Sequence, residues 1–154
     1  MSRRLLAVLV GVALLFSSVH VVVAAETAAP APAPMNPKVK AMLDSAKAAI
    51  KKVPAEEAKK AIDSKEKAIF LDVRDPAEYA AGHFPGAMNI SRGTLEFAVF
   101  NQITDQNAKI YVYCKTGGRA TLATKTLNDL GYKNAVLVDA QYADWVKAGY
   151  PVER

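Results

Sequence analysis

Three short, mainly apolar runs constrain the fold more than any other feature of the sequence. They span residues 68–73, 109–114 and 135–139, and each is followed by a segment of helical character. Apolar runs of this length without strict alternation are typical of strands that are buried on both faces. Strands that alternate with helices indicate an α/β fold, so the sequence predicts a mainly parallel central sheet flanked by helices.

The amino-terminal part of the chain is not typical of a folded domain. Arg3 and Arg4 precede an apolar run that ends in small residues, so residues 1–25 are predicted to be a signal peptide. Residues 26–35 alternate Ala and Pro and form a predicted linker. We therefore expect an exported protein, periplasmic or secreted, and contact with a membrane only if the leader is retained as an anchor.

Residues 36–52 are predicted to form an amphipathic helix ahead of a domain at residues 53–154. Asn36 can cap this helix, and Pro37 suits its first turn. Its apolar positions follow helical spacing: Val39, Met42, Leu43, Ala46, Ile50 and Val53. This stripe is expected to dock on the domain, with binding to a partner protein as the alternative.

The charge of the chain does not indicate binding to nucleic acid. The 154 residues carry a formal charge of +5, mostly as scattered lysine. The densest lysines, at residues 51–60, are interspersed with Glu56 and Glu57 on predicted helices. Such a pattern is typical of a solvated helix face.

Cys114 is the only cysteine of the chain and cannot form an internal disulfide. In an exported protein a single thiol is a buried core residue, an intermolecular link or a reactive group. Cys114 ends a predicted strand, and in parallel sheets ligands bind beyond the carboxyl ends of the strands. Its position therefore favours the reactive group.

The residues after Cys114 suit an anionic sulfur. Gly117 and Gly118 allow a tight turn, and the next helix is expected from about Ala120. Backbone N–H groups of the turn and the positive end of that helix would face the sulfur and stabilise a thiolate. Lys115 and Arg119 add positive charge for an anionic substrate.

A second group of polar residues follows the strand predicted at residues 68–73. Asp72 lies at the end of this strand and is expected to approach the same rim of the sheet as Cys114. Arg74 and Glu78 are four residues apart at a predicted helix start and are expected to pair with each other.

From about Val53 onward the chain resembles a single-domain rhodanese. The resemblance rests on "LDVRDPAEYAAGHFPGAMNI", "YVYCKTGGRA", "LGY", "VLVD" and "AGYPV". It implies a rhodanese fold and sulfur transfer through a Cys114 persulfide, without metal or organic cofactor. In this family the backbone of the loop after the cysteine cradles the outer sulfur of the persulfide. The resemblance therefore implies that the substrate-binding residues are Lys115, Thr116, Gly117, Gly118 and Arg119.

The resemblance also implies the reaction partners. They are a small anionic donor such as thiosulfate and a nucleophilic acceptor, which is cyanide, a thiol or another protein. Many family members carry Ser or Thr after the loop arginine and Gly-Gly after the last strand, where this chain has Ala120 and Ala140-Gln141. These departures affect the choice of substrate more than the class of reaction.

Two other functions remain open from the sequence. A cysteine-loop phosphatase or arsenate reductase would use the same kind of anion cradle, but its loop is one residue longer between cysteine and arginine. The shorter loop suits a sulfur atom better than a tetrahedral oxyanion. The other alternative is a non-catalytic exported module that binds a ligand or relays sulfur.

Overall fold

The computed structural model describes residues 34–154 as an α/β fold around a parallel sheet. Its strands lie in the order β1-β5-β4-β2-β3, and every pair is parallel. The strands are β1 (Lys52–Val53), β2 (Ile69–Asp72), β3 (Met88–Asn89), β4 (Ile110–Tyr113) and β5 (Ala135–Val138). The predicted fold class is therefore confirmed.

Six α-helices, with a short 3-10 helix at Arg92–Thr94, connect and cover these strands within the described residues. They are α1 (Pro37–Ala48), α2 (Ala55–Asp63), α3 (Pro76–Ala81), α4 (Leu95–Gln102), α5 (Gly118–Asp129) and α6 (Tyr142–Lys147). None of them is long and apolar enough to cross a lipid bilayer. The predicted leader and nearly all of the predicted linker lie outside the described residues.

The side chains of the central strands alternate between two apolar layers, one on each face of the sheet. Leu71, Val112 and Leu137 pack in one layer with residues of α4 and α5. Phe70, Tyr111 and Val136 pack in the other with residues of α2 and α6. Helices thus cover both faces of the sheet. Because the strands are parallel, the loops that follow them meet at its carboxyl edge.

The predicted helix at residues 36–52 is too long. Helix α1 ends at Ala48, and Lys52 and Val53 form the edge strand β1 beside β5. Lys51 and Val53 accept backbone hydrogen bonds from Leu137 and Asp139 of the neighbouring segment. Pro54 also disfavours a helical conformation at the residue before it. Strand pairing therefore ends the helical segment early.

Only the carboxyl-terminal part of the predicted apolar stripe docks on the domain. Ala46 is buried and Leu43 is half-buried, and α1 packs against α5. Val39 and Met42 are exposed. The helix is thus fixed beside α5, the helix that follows Cys114, while the apolar residues of its first two turns face solvent.

Candidate active site

Cys114 directly follows β4, at the carboxyl edge of the sheet, and its side chain is 1% exposed. Its Sγ accepts hydrogen bonds from the backbone N–H groups of Gly117, at 3.2 Å, and Ala120, at 3.3 Å. The sulfur also lies at the amino-terminal end of α5, where the helix dipole is positive. Both the donors and the dipole favour negative charge on sulfur, as the sequence predicted.

The backbone of the loop between Cys114 and Arg119 is fixed at several points. Gly117 has φ of 91°, a left-handed conformation that glycine adopts without strain, and its carbonyl accepts the N–H of Thr121. The carbonyl of Lys115 accepts the N–H of Tyr142, the first residue of α6. The side chains of Lys115 and Thr116 are exposed. The loop therefore directs backbone N–H groups toward the sulfur and exposes the side chains of Lys115 and Thr116 to solvent.

Arg119 turns toward α3. Its Nη1 lies 2.6 Å from Oε2 of Glu78 and 3.2 Å from Oδ2 of Asp75. The hydrogen bond from Arg119 lowers the pKa of Glu78, and the same bond raises the pKa of Arg119. Arg119 therefore shares its charge between two carboxylates and anchors the loop. Of the two cations predicted to attract an anionic substrate, Lys115 is the one that is more available.

Asp72 lies at the same edge of the sheet as Cys114, beside Tyr113, but its predicted role in substrate binding finds no support. Asp72 is 0% exposed, and its carboxylate accepts hydrogen bonds from Nε and Nη2 of Arg74 at 2.6–3.0 Å. A paired, fully buried carboxylate has no access to a ligand, so Asp72 has a structural role. The predicted pair of Arg74 with Glu78 is also wrong. Arg74 pairs with Asp72, and Glu78 pairs with Arg119.

Tyr142 is a part of the site that the sequence reasoning missed. Its ring lies 3.9 Å beneath the guanidinium of Arg74, and its N–H holds the carbonyl of Lys115. The buried pair of Asp72 and Arg74 is thereby connected to the cysteine loop. Tyr142 stands at the start of a helix after the last strand, and that position was the only signal for its role.

A cleft of about 590 Å³ adjoins the outer side of the loop. One wall is α1, and the other consists of residues 116–118, residues 139–141 and Asp144 of α6. Ala140 and Gln141, where the resemblance led us to expect Gly-Gly, lie in this wall. The substitution therefore shapes the surroundings of the loop directly.

The chain is similar in sequence and fold to known proteins. The family model of the rhodanese-like domain matches residues 54–148. The thiosulfate sulfurtransferase GlpE of Pseudomonas putida F1 is 33% identical over 103 residues, which are 67% of this chain and 90% of that protein. YrkF of Bacillus subtilis, named as a candidate sulfur carrier protein, is 33% identical over 96 residues, 62% of this chain. The chain spans about half of YrkF, at 51% of its length.

A solved structure with the same fold comes from Rhodopseudomonas palustris. That protein is of unknown function and is described as a possible tyrosine phosphatase. It superposes with a TM-score of 0.70 and 31% identity, over 80% of this chain and 99% of that one. The family match covers most of the described chain and includes β2, β4, the cysteine loop and β5. The chain belongs to the rhodanese-like domain family.

Proposed function

We propose that the protein is a sulfurtransferase that moves a sulfane sulfur from a donor such as thiosulfate to cyanide or a thiol through a Cys114 persulfide. The observation that carries this proposal is the pair of N–H groups at the Cys114 sulfur, supplied by Gly117 and Ala120. These donors stabilise the attacking thiolate, which is also the leaving group of the second step.

The reaction consists of two displacements. In the first, the Cys114 thiolate attacks the outer sulfur of thiosulfate, the sulfur–sulfur bond of the donor breaks, and sulfite leaves with the electron pair. In the second, cyanide or a thiolate attacks the outer sulfur of the persulfide and Cys114 leaves as a thiolate. No net oxidation or proton transfer by a side chain is required. The burial of the thiol favours a donor whose terminal sulfur atom projects into the loop.

The relatives and the loop length support sulfur transfer over phosphate hydrolysis. The name of GlpE assigns thiosulfate to that protein, and the name of YrkF assigns it sulfur carriage. Four residues separate Cys114 from Arg119 in this chain. Nη1 of Arg119 already contacts two carboxylates, so this nitrogen is not free for a phosphate ester. The cysteine loop of this chain therefore gives no support to the phosphatase function that is suggested for the R. palustris protein.

The first prediction concerns the persulfide itself. Cys114 is the only thiol, so sulfur that is held covalently must be on this residue. Incubation of the purified protein with thiosulfate, followed by intact-mass measurement without reductant, should show the gain of one sulfur atom. Addition of cyanide or excess thiol should remove it.

The control is Cys114→Ser, which is nearly isosteric and should remain folded. It should neither gain sulfur nor turn over thiosulfate and cyanide. Sulfur transfer by the serine variant at the wild-type rate would refute the covalent mechanism. If the wild-type protein gains no sulfur from any donor but hydrolyses a phosphate ester, the proposed function is wrong.

A further inference from the structure

The cleft lies against the loop whose N–H groups hold the reactive sulfur. Gly117 forms part of its wall, and the N–H of the same residue lies 3.2 Å from Sγ of Cys114. The volume of about 590 Å³ is in the range of small-molecule sites. A molecule in this cleft would thus contact Gly117, the residue whose N–H binds the sulfur of Cys114.

Helix α1 forms one wall of this cleft and lies outside the residues that the family model matches. The family match begins at residue 54, whereas α1 ends at Ala48. Lys40, Asp44 and Lys47 line the cleft from α1, and their spacing places them on one face of the helix. An element outside the family domain therefore supplies charged groups beside the active site.

One ion pair fixes the two walls together. Nζ of Lys47 lies 3.1 Å from Oδ1 of Asp139, and this contact lowers the pKa of Asp139. Lys52 also reaches Asp139, at 3.4 Å. Since these three side chains pair with one another across the cleft, they are less available to a ligand than the other charges that line it.

Two other charges in the cleft are available to a ligand. Lys40 pairs with Asp44 of the same helix, but both side chains are more than half exposed, at 67% and 63%, so this pair is weak. Asp144 lies on the opposite wall, in the first turn of α6. No basic side chain of residues 34–154 forms an ion pair with it. The cleft thus presents a cation on one side and an unneutralised carboxylate on the other.

We propose that this cleft binds the sulfur acceptor and selects a small zwitterionic thiol, one that carries both an ammonium and a carboxylate group. The ammonium would contact Asp144 and the carboxylate would contact Lys40. This inference rests on the proposed function, because it names the acceptor for the Cys114 persulfide. Gln141 and Thr121, which also line the cleft, offer hydrogen bonds to the polar body of such a molecule.

The transfer to this acceptor balances without another reactant. The thiol releases its proton to solvent, and the resulting thiolate attacks the outer sulfur of the persulfide. The new sulfur–sulfur bond forms on the acceptor as the Cys114–sulfur bond breaks. The electron pair returns to Cys114, where the N–H groups of Gly117 and Ala120 receive the thiolate.

The test compares acceptors that differ by one charge. The full-length protein is loaded with thiosulfate, the loading is checked by intact mass, and free donor is removed. The release of sulfur is then titrated with cysteine, with N-acetylcysteine, which lacks the ammonium, and with cysteine methyl ester, which lacks the carboxylate. The variants are Asp144→Asn and Lys40→Gln. The matched controls are Glu56→Gln, in the first turn of α2, and Lys38→Gln, on α1 but outside the cleft.

Asp144→Asn should raise the half-saturating concentration of cysteine about threefold to fivefold, which is the effect of losing a partly exposed charge contact. The half-saturating concentration of N-acetylcysteine, which lacks the ammonium, should rise much less. Lys40→Gln should do the same for cysteine but not for the methyl ester. The control variants should match the wild type with every acceptor.

Two negative results have different meanings. If Cys114 loads with sulfur but both variants keep the wild-type value for cysteine, or change it equally for all acceptors, the inference about the cleft is wrong. If no sulfur is ever loaded, the mass measurement shows that the proposed function fails, and the inference fails with it.

Discussion

The two N–H groups that reach the Cys114 sulfur come from residues under different constraints. Ala120 is buried and lies within α5, so its N–H direction follows from the helix. Gly117 has φ of 91° and no neighbouring atom within 4 Å of the place where a Cβ would stand. A side chain there would meet no clash, so only the backbone conformation requires glycine. The backbone conformation of Gly117 thus sets the direction of one of the two N–H groups that reach the sulfur.

We predict that Gly117→Ala lowers the free energy of unfolding by about 1–2 kcal/mol, the cost of a left-handed conformation for a residue with a Cβ. If the loop relaxes to avoid this strain, the N–H moves away from the sulfur and persulfide formation slows. Urea unfolding and the rate of mass gain with thiosulfate measure the two effects. Gly118→Ala is the matched control, since Gly118 has no left-handed φ and open space around it. Equal behaviour of the two variants would contradict this explanation.

At the scale of elements, two short helices hold the cysteine loop from outside. On one side α3 presents Asp75 and Glu78 to Arg119, and on the other the first residue of α6 binds the carbonyl of Lys115. Helix α3 itself is fixed by Asp75, whose N–H donates to Oε2 of Glu78 at 3.3 Å. Glu78 therefore joins the start of α3 to the start of α5.

We predict a pH-dependent effect for Glu78→Gln. Because the pKa of Glu78 is lowered in the folded protein, its contribution is present above the ordinary carboxyl pKa and is lost as the pH falls through the lowered value. The variant should be less stable than the wild type by about 0.5–1 kcal/mol near neutral pH, and the difference should shrink below about pH 4. Urea unfolding at both pH values measures this. Glu56→Gln should show no such trend, and a constant difference for Glu78→Gln would contradict the assignment.

The sequence predicted some elements better than others for identifiable reasons. The turn at Gly117 and the helix after it follow from local chemistry, and the structure differs only in starting α5 at Gly118. The spacing of four residues misassigned Arg74 and Glu78, because Arg74 pairs with Asp72 and Glu78 pairs with Arg119 of α5. The end of α1 depends on pairing of Lys52 with Leu137, a residue far along the chain.

At the scale of the whole molecule, the aromatic layer on one face of the sheet joins distant segments. The ring of Phe84 lies between those of Tyr113 and Trp145, with both centroid distances at 3.7 Å. The hydroxyl of Tyr113 accepts the N–H of Phe84 at 3.0 Å. The apolar run at residues 109–114 predicted a buried strand at Tyr113, but such a pattern contains no information on which rings meet. That choice follows from the strand order.

We predict that Tyr113→Phe destabilises the whole fold by about 1–3 kcal/mol, because it leaves the buried N–H of Phe84 without its acceptor. Tyr111→Phe is the matched control. Tyr111 is equally buried on the same strand, but its hydroxyl contacts the side chains of Glu66, at 3.4 Å, and Lys109. Both partners are partly exposed, so water can replace the hydroxyl and its loss should cost less than about 1 kcal/mol. Trp145 is the only tryptophan and lies in the stack, so its fluorescence reports the global transition in urea. Fluorescence and far-UV circular dichroism should give one coincident transition for both variants. Equal losses of stability would show that the Phe84 N–H finds another partner.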